Sequence, residues 1–223
     1  ILIYSSSDLL PDSLPALFLK YWSFKKNRNV KLIVGFHLLA PNPFRGYRRK
    51  LRIPSLANIY YFITQSIIIK LARKYADLIL VSNYIDRNVM VKRNKILSEK
   101  VLVTHGGIDA SEISDIEVKD KLYDAIFIGR VHPQKGLPDL FEIWSYVCKD
   151  IPTARLLIIG DKSVLKYVES FSRKLELKKN IIWGGYLRGK DKYRAIKLSR
   201  LLVSPSYYES FCMVILEALA CGK

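Results

Sequence analysis

Short apolar runs alternate with longer amphipathic stretches along the chain, a rhythm that predicts strand–helix–strand units built on mostly parallel sheets. The predicted strands cover residues 1–4, 31–36, 77–82, 100–104, 123–129, 155–160, 180–183 and 200–204. Each is a nearly continuous apolar run, such as KLIVGF at 31–36, as a strand covered on both faces requires. Helices are predicted between them, over roughly 12–24, 55–75, 84–95, 138–149, 163–176, 190–199 and 211–220. The polar stretch ASEISDIEVKDK at 110–121 holds four acidic residues, two lysines and no apolar run. It reads as the joint between two α/β units, residues 1–112 and 113–223; a surface loop inside one continuous sheet is the alternative.

The longest uncharged run, Ile53–Ile69, is 17 residues long and contains Pro54, Asn58 and Gln65. That is short and polar for a membrane span, so a buried or membrane-facing helix is expected there.

Composition narrows the class. The chain has 223 residues, half of them apolar, which excludes a wholly disordered protein. Its cysteines, Cys148, Cys212 and Cys221, form no even framework and no cluster with histidine, which argues against a disulfide scaffold and a structural zinc site. No initiator Met and no charged-then-apolar leader is present, so neither a start nor a signal peptide can be read.

The formal net charge of +17 is unevenly placed. Between Ser13 and Ala76 there are thirteen Lys and Arg and no acidic residue. Residues 1–110 carry 18 basic and 6 acidic side chains, and the remainder carries 19 and 14. The first part is thus far more basic than the second, which points to different partners for the two.

The segment SPSYYESFCMVILEALACG (204–222) is the richest in chemistry. A strand ends near Ser204, Pro205 breaks it, and a helix is predicted from Ser210 or Phe211 to a stop at Gly222. Phe211, Val214, Ile215, Ala218 and Leu219 make one apolar face, and Cys212, Met213, Leu216 and Ala220 extend it nearly all round, which predicts a buried helix. Glu217 is its only ionisable residue. A carboxylate there costs several kcal/mol, roughly, unless it is paired. A structural ion pair with a neighbouring Lys or Arg and a cleft carboxylate accepting from the hydroxyls of a diol are both compatible with the sequence. Glu209 lies in the loop beyond the strand's carboxyl end, where ligands bind in open α/β sheets. The N–H groups of Ser210, Phe211 and Cys212 are expected as orphan donors suited to an anion.

The loop GRVHPQKGLPDL (129–140) follows another strand. Arg130 and Lys135 flank it before a helix start near Pro138, a combination suited to a diphosphate, although isolated surface charges need no role. His132 needs none either. His37 ends the strand KLIVGF and is a general-base or phosphate-contacting candidate, with a hydrogen-bonded structural histidine as the equal alternative. His37, His105 and His132 have no metal-ligand spacing, and neither a P-loop, a six-residue glycine fingerprint nor a Ser-His-Asp signature is present.

Taken in order, GRVHPQKGLPDL, RLLIIGD, NIIWGGYL and SPSYYESFCMVILEALACG resemble the donor half of glycosyltransferase family 4, retaining nucleotide-sugar enzymes of the GT-B fold. The family's two glutamates separated by seven residues are matched by Glu209 and Glu217. The likeness is specific over residues 122–223 and looser over 1–121, where SSSDLLPDSLPA, the His37 strand end, ADLILVSNY and KVLVTHGGID look like the acceptor half. It implies an α/β fold of two Rossmann-like domains. Arg130 and Lys135 would bind the donor diphosphate, and Glu209 with Ser210, Phe211 and Cys212 would bind the transferred sugar. Glu217 would hold the ribose, and His37 would face the reacting centre together with Glu209.

No metal or other cofactor is implied, since cations and helix dipoles stabilise the leaving group. The implied donor is a UDP- or GDP-sugar, the acceptor a glycan or a lipid-linked one. Two positions depart from the family pattern: Cys212 stands where Gly is usual, and Gly106 where Asn is usual. The resemblance further implies that both domains are incomplete, the first lacking its opening strand and the second its closing elements. Such a fragment is expected to show little activity alone and an exposed sheet edge.

The basic stretch 13–76 motivates peripheral contact with an anionic membrane from the cytoplasmic side, since anionic headgroups attract Lys and Arg by roughly 1 kcal/mol each. A nucleic-acid-binding protein using the same charge is the competing class, but no nucleic-acid module is recognisable and none is expected as partner. A transferase-like protein that binds without turnover is the third reading, suggested by Cys212.

Overall fold

The computed structural model describes residues 1–26, 28–44 and 56–223. Arg45, Arg48, Arg49, Lys50 and Arg52 of the basic stretch, and the start of the uncharged run at Ile53–Ser55, lie outside the described residues. By internal contacts the chain forms two compact units, Ile1–Gly106 with Glu209–Phe211, and Gly107–Tyr208 with Cys212–Lys223.

The first unit runs β1 (Leu2–Ser5), α1 (Leu10–Lys25), β2 (Lys31–Phe36), α2 (Leu56–Tyr75), β3 (Leu78–Val81), α3 (Tyr84–Asn88) and β4 (Val101–Val103). Its four strands form one parallel sheet in the order β1-β2-β3-β4, with Val34 of β2 beside Ser5 of β1 and Ile79 of β3. Leu32, Val34, Phe36, Ile79 and Val81 are buried in its core with Ala16 and Leu17 of α1 and Ile68 and Ala72 of α2. The buried face of α2 is Gln65, Ile68, Ile69 and Ala72, the i, i+3, i+4, i+7 stripe of an amphipathic helix. Gln65 is tolerated there because it is satisfied: its amide donates to Asp8 at 2.6 Å and to the Leu38 carbonyl at 2.8 Å, while its oxygen accepts the Ala40 N–H at 2.7 Å. The helix predicted over 84–95 is corrected. It is capped by Asn83, whose oxygen accepts the Asp86 N–H at 2.7 Å, but after Asn88 it widens into a π-helical turn, Val89–Arg93.

In the second unit a short α4 (Ser111–Ser114) precedes β5 (Tyr123–Ile128), α5 (Leu137–Asp150), β6 (Leu156–Ile159), α6 (Lys162–Lys174), β7 (Ile181–Trp183), α7 (Gly189–Lys197), β8 (Ser199–Leu202) and α8 (Met213–Ala220). The stretch 110–121 contains that helical turn because Ile113 and Ile116 are buried and Lys197 donates to both of their carbonyls, at 2.8 and 2.7 Å. All pairings are parallel, in the order β7-β6-β5-β8. β5 and β6 lie in register from Ala125↔Leu156 to Ile128↔Ile159. Leu137, Leu140, Phe141 and Trp144 of α5 close one face of this sheet, again at i, i+3, i+4 and i+7. Asp161 starts α6 by accepting the Ser163 N–H at 2.8 Å. Among the described residues no helix is long and apolar enough to cross a membrane.

The burial expected of the last helix is corrected. Only its stripe of Glu217, Ala218 and Cys221 is buried, while Met213, Ile215 and Leu219 are 37%, 44% and 63% exposed. The helix packs on α7 and β8 through its buried side. The molecule is therefore an α/β protein of two parallel sheets, each unit with its own core.

Candidate functional site

Strand order places the site of the second unit. The chain leaves β5 through α5 to β6 on one side and returns through α7 to β8 on the other. Strand order therefore reverses between β5 and β8, and a crevice at such a switch point, beyond the carboxyl ends of the strands, is where open α/β sheets bind ligands. The two loops leaving these strand ends are the ones that carry the predicted chemistry, Gly129–Gly136 and Val203–Cys212.

The first loop is built around Gln134, which is buried. Its side-chain amide donates to the Tyr208 carbonyl, and its own carbonyl accepts the Tyr207 N–H at 2.8 Å. Next to it Gly136 has φ +64°, and a Cβ there would overlap the Pro205 carbonyl oxygen. Only glycine takes that conformation at so close an approach without strain. These contacts join the Arg130/Lys135 loop to the loop of Pro205–Tyr208. His132 heads the short turn Pro133–Lys135, its Nδ1 accepting the Gln134 N–H at 3.3 Å. Burial, then the positive charges of Arg130 and Lys135, push the His132 pKa down. Burial and the two neighbouring cations thus disfavour a further positive charge on His132. The Lys135 stem also runs beside Gly129, where a Cβ would lie 3.9 Å from its Cδ.

At α8 the predicted donor positions shift. The helix begins at Met213 with Cys212 as its N-cap, so its first N–H groups are those of Met213 and Val214 rather than of Ser210 and Phe211. Cys212 has φ −85° and ψ 91°, a backbone conformation open to any residue, and its Sγ lies 4.0 Å from Ser204 Oγ. Glu217 projects inward from the buried stripe. Its Oε1 accepts from Lys192 Nζ at 2.7 Å, while its Oε2 is buried without a hydrogen-bond partner among the described residues. Both readings left open for this carboxylate therefore have an atom: one oxygen in an ion pair, the other unclaimed. Lys192, Gln134 and Gly136 were not evident as site residues. The Lys-Gly step at 135–136 is the one signal that could have marked the close loop approach.

Glu209, Ser210 and Phe211 cluster with the first unit. There Ser210 donates its hydroxyl to Asp86, and Asn83 donates to the Ser210 carbonyl and hydroxyl at 2.7 and 3.0 Å. The Phe211 ring lies 5.8 Å from that of His105, itself 6.0 Å from Tyr84. The Ser210 hydroxyl is thus held by protein groups. His37 is exposed just beyond β2, and its Nε2 donates to the Ser6 carbonyl at 2.7 Å. A carbonyl partner fixes the Nε2–H tautomer, which makes Nδ1 the acceptor of the neutral ring. Nearby Asp8 is buried, and burial raises its pKa despite hydrogen bonds from Gln65 and Tyr61. Among the described residues no group of three or more His, Cys, Asp or Glu could hold a metal ion.

Comparison with known proteins supplies the family. Residues 109–223, more than half of the chain, match the family described as glycosyl transferases group 1. An uncharacterised glycosyltransferase of Methanocaldococcus jannaschii is 27% identical over 211 residues, covering 88% of this chain and 48% of that protein. The poly(glycerol-phosphate) alpha-glucosyltransferase of Bacillus subtilis is 28% identical over 107 residues, 48% of this chain and 16% of its own length. The chain therefore spans at most about half the length of these relatives. Among solved structures, Anabaena HepE in complex with UDP and glucose superposes with a TM-score of 0.69 at 21% identity, covering 100% of this chain and 57% of that one. Sucrose-phosphate synthase of Thermosynechococcus elongatus gives 0.70 at 16% identity, over 100% and 54%. These likenesses show a GT-B type fold over the whole chain, and the match across 109–223 shows that the chain belongs to the glycosyl transferases group 1 family.

Proposed function

We propose that the chain is part of a retaining family 4 glycosyltransferase that moves a hexose from a UDP- or GDP-sugar to a glycan or lipid-linked acceptor without a metal. The observation that carries this reading is the switch point of the second sheet, where the Arg130/Lys135 loop is joined to the loop leading to Glu209 and Glu217. The likeness to HepE, whose structure was solved in complex with UDP and glucose, supports the donor class.

In this reading Arg130 and Lys135 hold the diphosphate, and the start of α8 adds its dipole. As the bond from the sugar C1 to the diphosphate breaks, the leaving group takes the electron pair, and these charges stabilise it in place of a metal. Glu209 and the backbone at Phe211 and Cys212 orient the sugar, with Ser210 contributing through its backbone, since its hydroxyl is held by Asp86. Glu217 accepts from the ribose. His37 acts at the reacting centre together with Glu209: the acceptor hydroxyl bonds to C1 on the face the diphosphate leaves and gives its proton to Nδ1 of His37, the acceptor nitrogen of the ring.

An anionic membrane surface is the proposed partner of the basic stretch 13–76, from the cytoplasmic side. Exposed Phe18, Trp22 and Phe24 on α1, with Lys26 Nζ 3.9 Å above the Trp22 ring and Lys25 Nζ 5.0 Å above the Tyr21 ring, support it.

The test is a thermal-shift panel of nucleoside diphosphates and their sugar conjugates. A UDP or GDP ligand is expected to stabilise the protein and to lose that effect in Glu217→Ala. No shift with any member of the panel would refute the donor site.

A further inference from the structure

The unclaimed oxygen of Glu217 carries an inference about how the donor is read. Glu217 is 7% exposed on the inner stripe of α8, next to Ala218 and one turn before Cys221. Lys192, in the first turn of α7, reaches Oε1 at 2.7 Å from 25 residues earlier in the chain. Its side chain is four-fifths buried in doing so, so this is a held contact rather than a solvated surface pair. Oε2 is buried as well, yet no described group donates to it. Two nearby polar groups do not fill that need: Tyr193 and Cys221 both have their pKa raised, first by burial, and the Cys221 Sγ is directed to the Tyr193 carbonyl at 4.0 Å. A carboxylate has about four acceptor positions, and a buried oxygen left without a donor costs roughly 1–3 kcal/mol. A ligand hydroxyl at Oε2 would recover that cost, whereas one at Oε1 would have to compete with an ammonium.

We propose that Lys192 is a positioning residue that makes Glu217 a single-oxygen acceptor, so that the site reads one hydroxyl of the donor ribose and is nearly indifferent to the other. This rests on the reading of Glu217 as the ribose contact. A carboxylate with both oxygens open accepts from both hydroxyls of a vicinal diol. Lys192 makes Oε1 the poorer acceptor, since a second hydroxyl there competes with the ammonium already bonded to it, and that hydroxyl is left to water. The consequence is a specificity: one deoxy-nucleotide is a poor ligand and its isomer is nearly as good as the parent.

The test compares UDP and GDP, whichever binds the full chain, with their 2′-deoxy and 3′-deoxy analogues by titration calorimetry. Wild type is expected to lose about tenfold in affinity for one analogue and less than about threefold for the other. Lys192→Met frees Oε1, so the two analogues are expected to lose affinity to similar extents. Lys192→Arg, whose fork can take both oxygens, is expected to weaken the parent nucleotide towards its poorer analogue. Comparable losses for both analogues in wild type, or an unchanged ratio in Lys192→Met, would overturn the proposal. Should Lys192→Met not fold, the wild-type comparison alone still decides it. Glu217→Ala, which removes the acceptor altogether, separates the two levels. If it binds the nucleotides and both analogues as wild type does, the ribose reading itself fails. If it loses affinity for the parent while the wild-type analogues are equivalent, only the role of Lys192 fails.

Discussion

Gly136 lies directly against Pro205, so that the loop after β5 and the loop after β8 touch backbone to backbone at the switch point of the second sheet. Two features depend on this contact: the left-handed backbone at Gly136 and the reach of Gln134 to Tyr207 and Tyr208. Gly136→Ala is therefore expected to destabilise the protein by about 1–3 kcal/mol through strain and displacement of Pro205, and to weaken nucleotide binding with it. Denaturant unfolding and nucleotide titration of the same variant check both. A stability within about 0.5 kcal/mol of wild type would show that the loops tolerate separation.

The acid response of the first unit is expected to divide between two aspartates of opposite sign. For Asp77, burial pushes the pKa up, but Lys20 at 2.7 Å, the Leu32 N–H at 2.8 Å and Lys31 at 3.3 Å outweigh it and hold the carboxyl below its ordinary value. Its contribution is therefore full above the unfolded pKa of about 3.9 and is lost as pH falls through the lower folded value. Asp8 is raised by burial, so its contribution declines as pH climbs from about 3.9 through the raised folded value. Denaturation midpoints between pH 3 and 7 should rise less with pH in Asp77→Asn than in wild type, and more in Asp8→Asn. Parallel profiles for all three proteins would contradict these assignments.

Membrane contact through α1 is expected to appear as a blue shift and increase of Trp22 emission on adding vesicles rich in anionic lipid, measured in a variant lacking Trp144 and Trp183. Lys25→Glu with Lys26→Glu should abolish it, and raising the salt concentration should weaken it. Equal binding to neutral and anionic vesicles would remove the membrane from the account.

Much of the fold was legible because strands buried on both faces are written as unbroken apolar runs, and KLIVGF and RLLIIG begin and end within a residue or two of β2 and β6. α5 was equally plain, because its stripe of Leu137, Leu140, Phe141 and Trp144 contrasts with a polar opposite face. α8 was harder for the opposite reason. With apolar residues on every side its sequence offers no contrast, so the buried stripe could not be told from the exposed one, and Glu217 turned out to belong to the buried stripe. The π-helical turn after Asn88 has no periodicity of its own to announce it.

In the site, Arg130, Lys135, Glu209 and Glu217 stood out by residue type and spacing at strand ends. Lys192 did not, because a lysine in a helix rich in charge reads as solvated, and its partner is 25 residues away. Gln134 likewise looks like any polar loop residue until the fold brings Tyr207 and Tyr208 beside it.

The central claim, that the Arg130/Lys135 loop at the switch point binds a donor diphosphate, is tested most directly by calorimetric titration of the Arg130→Ala, Lys135→Ala double variant. The ligands are the preferred nucleoside diphosphate and its parent nucleoside. The account predicts a loss of at least about tenfold for the diphosphate, with nucleoside binding unchanged, as expected when charge-assisted bonds to phosphate are removed. Diphosphate affinity equal to wild type in the double variant, or an equal loss for the nucleoside, would contradict it.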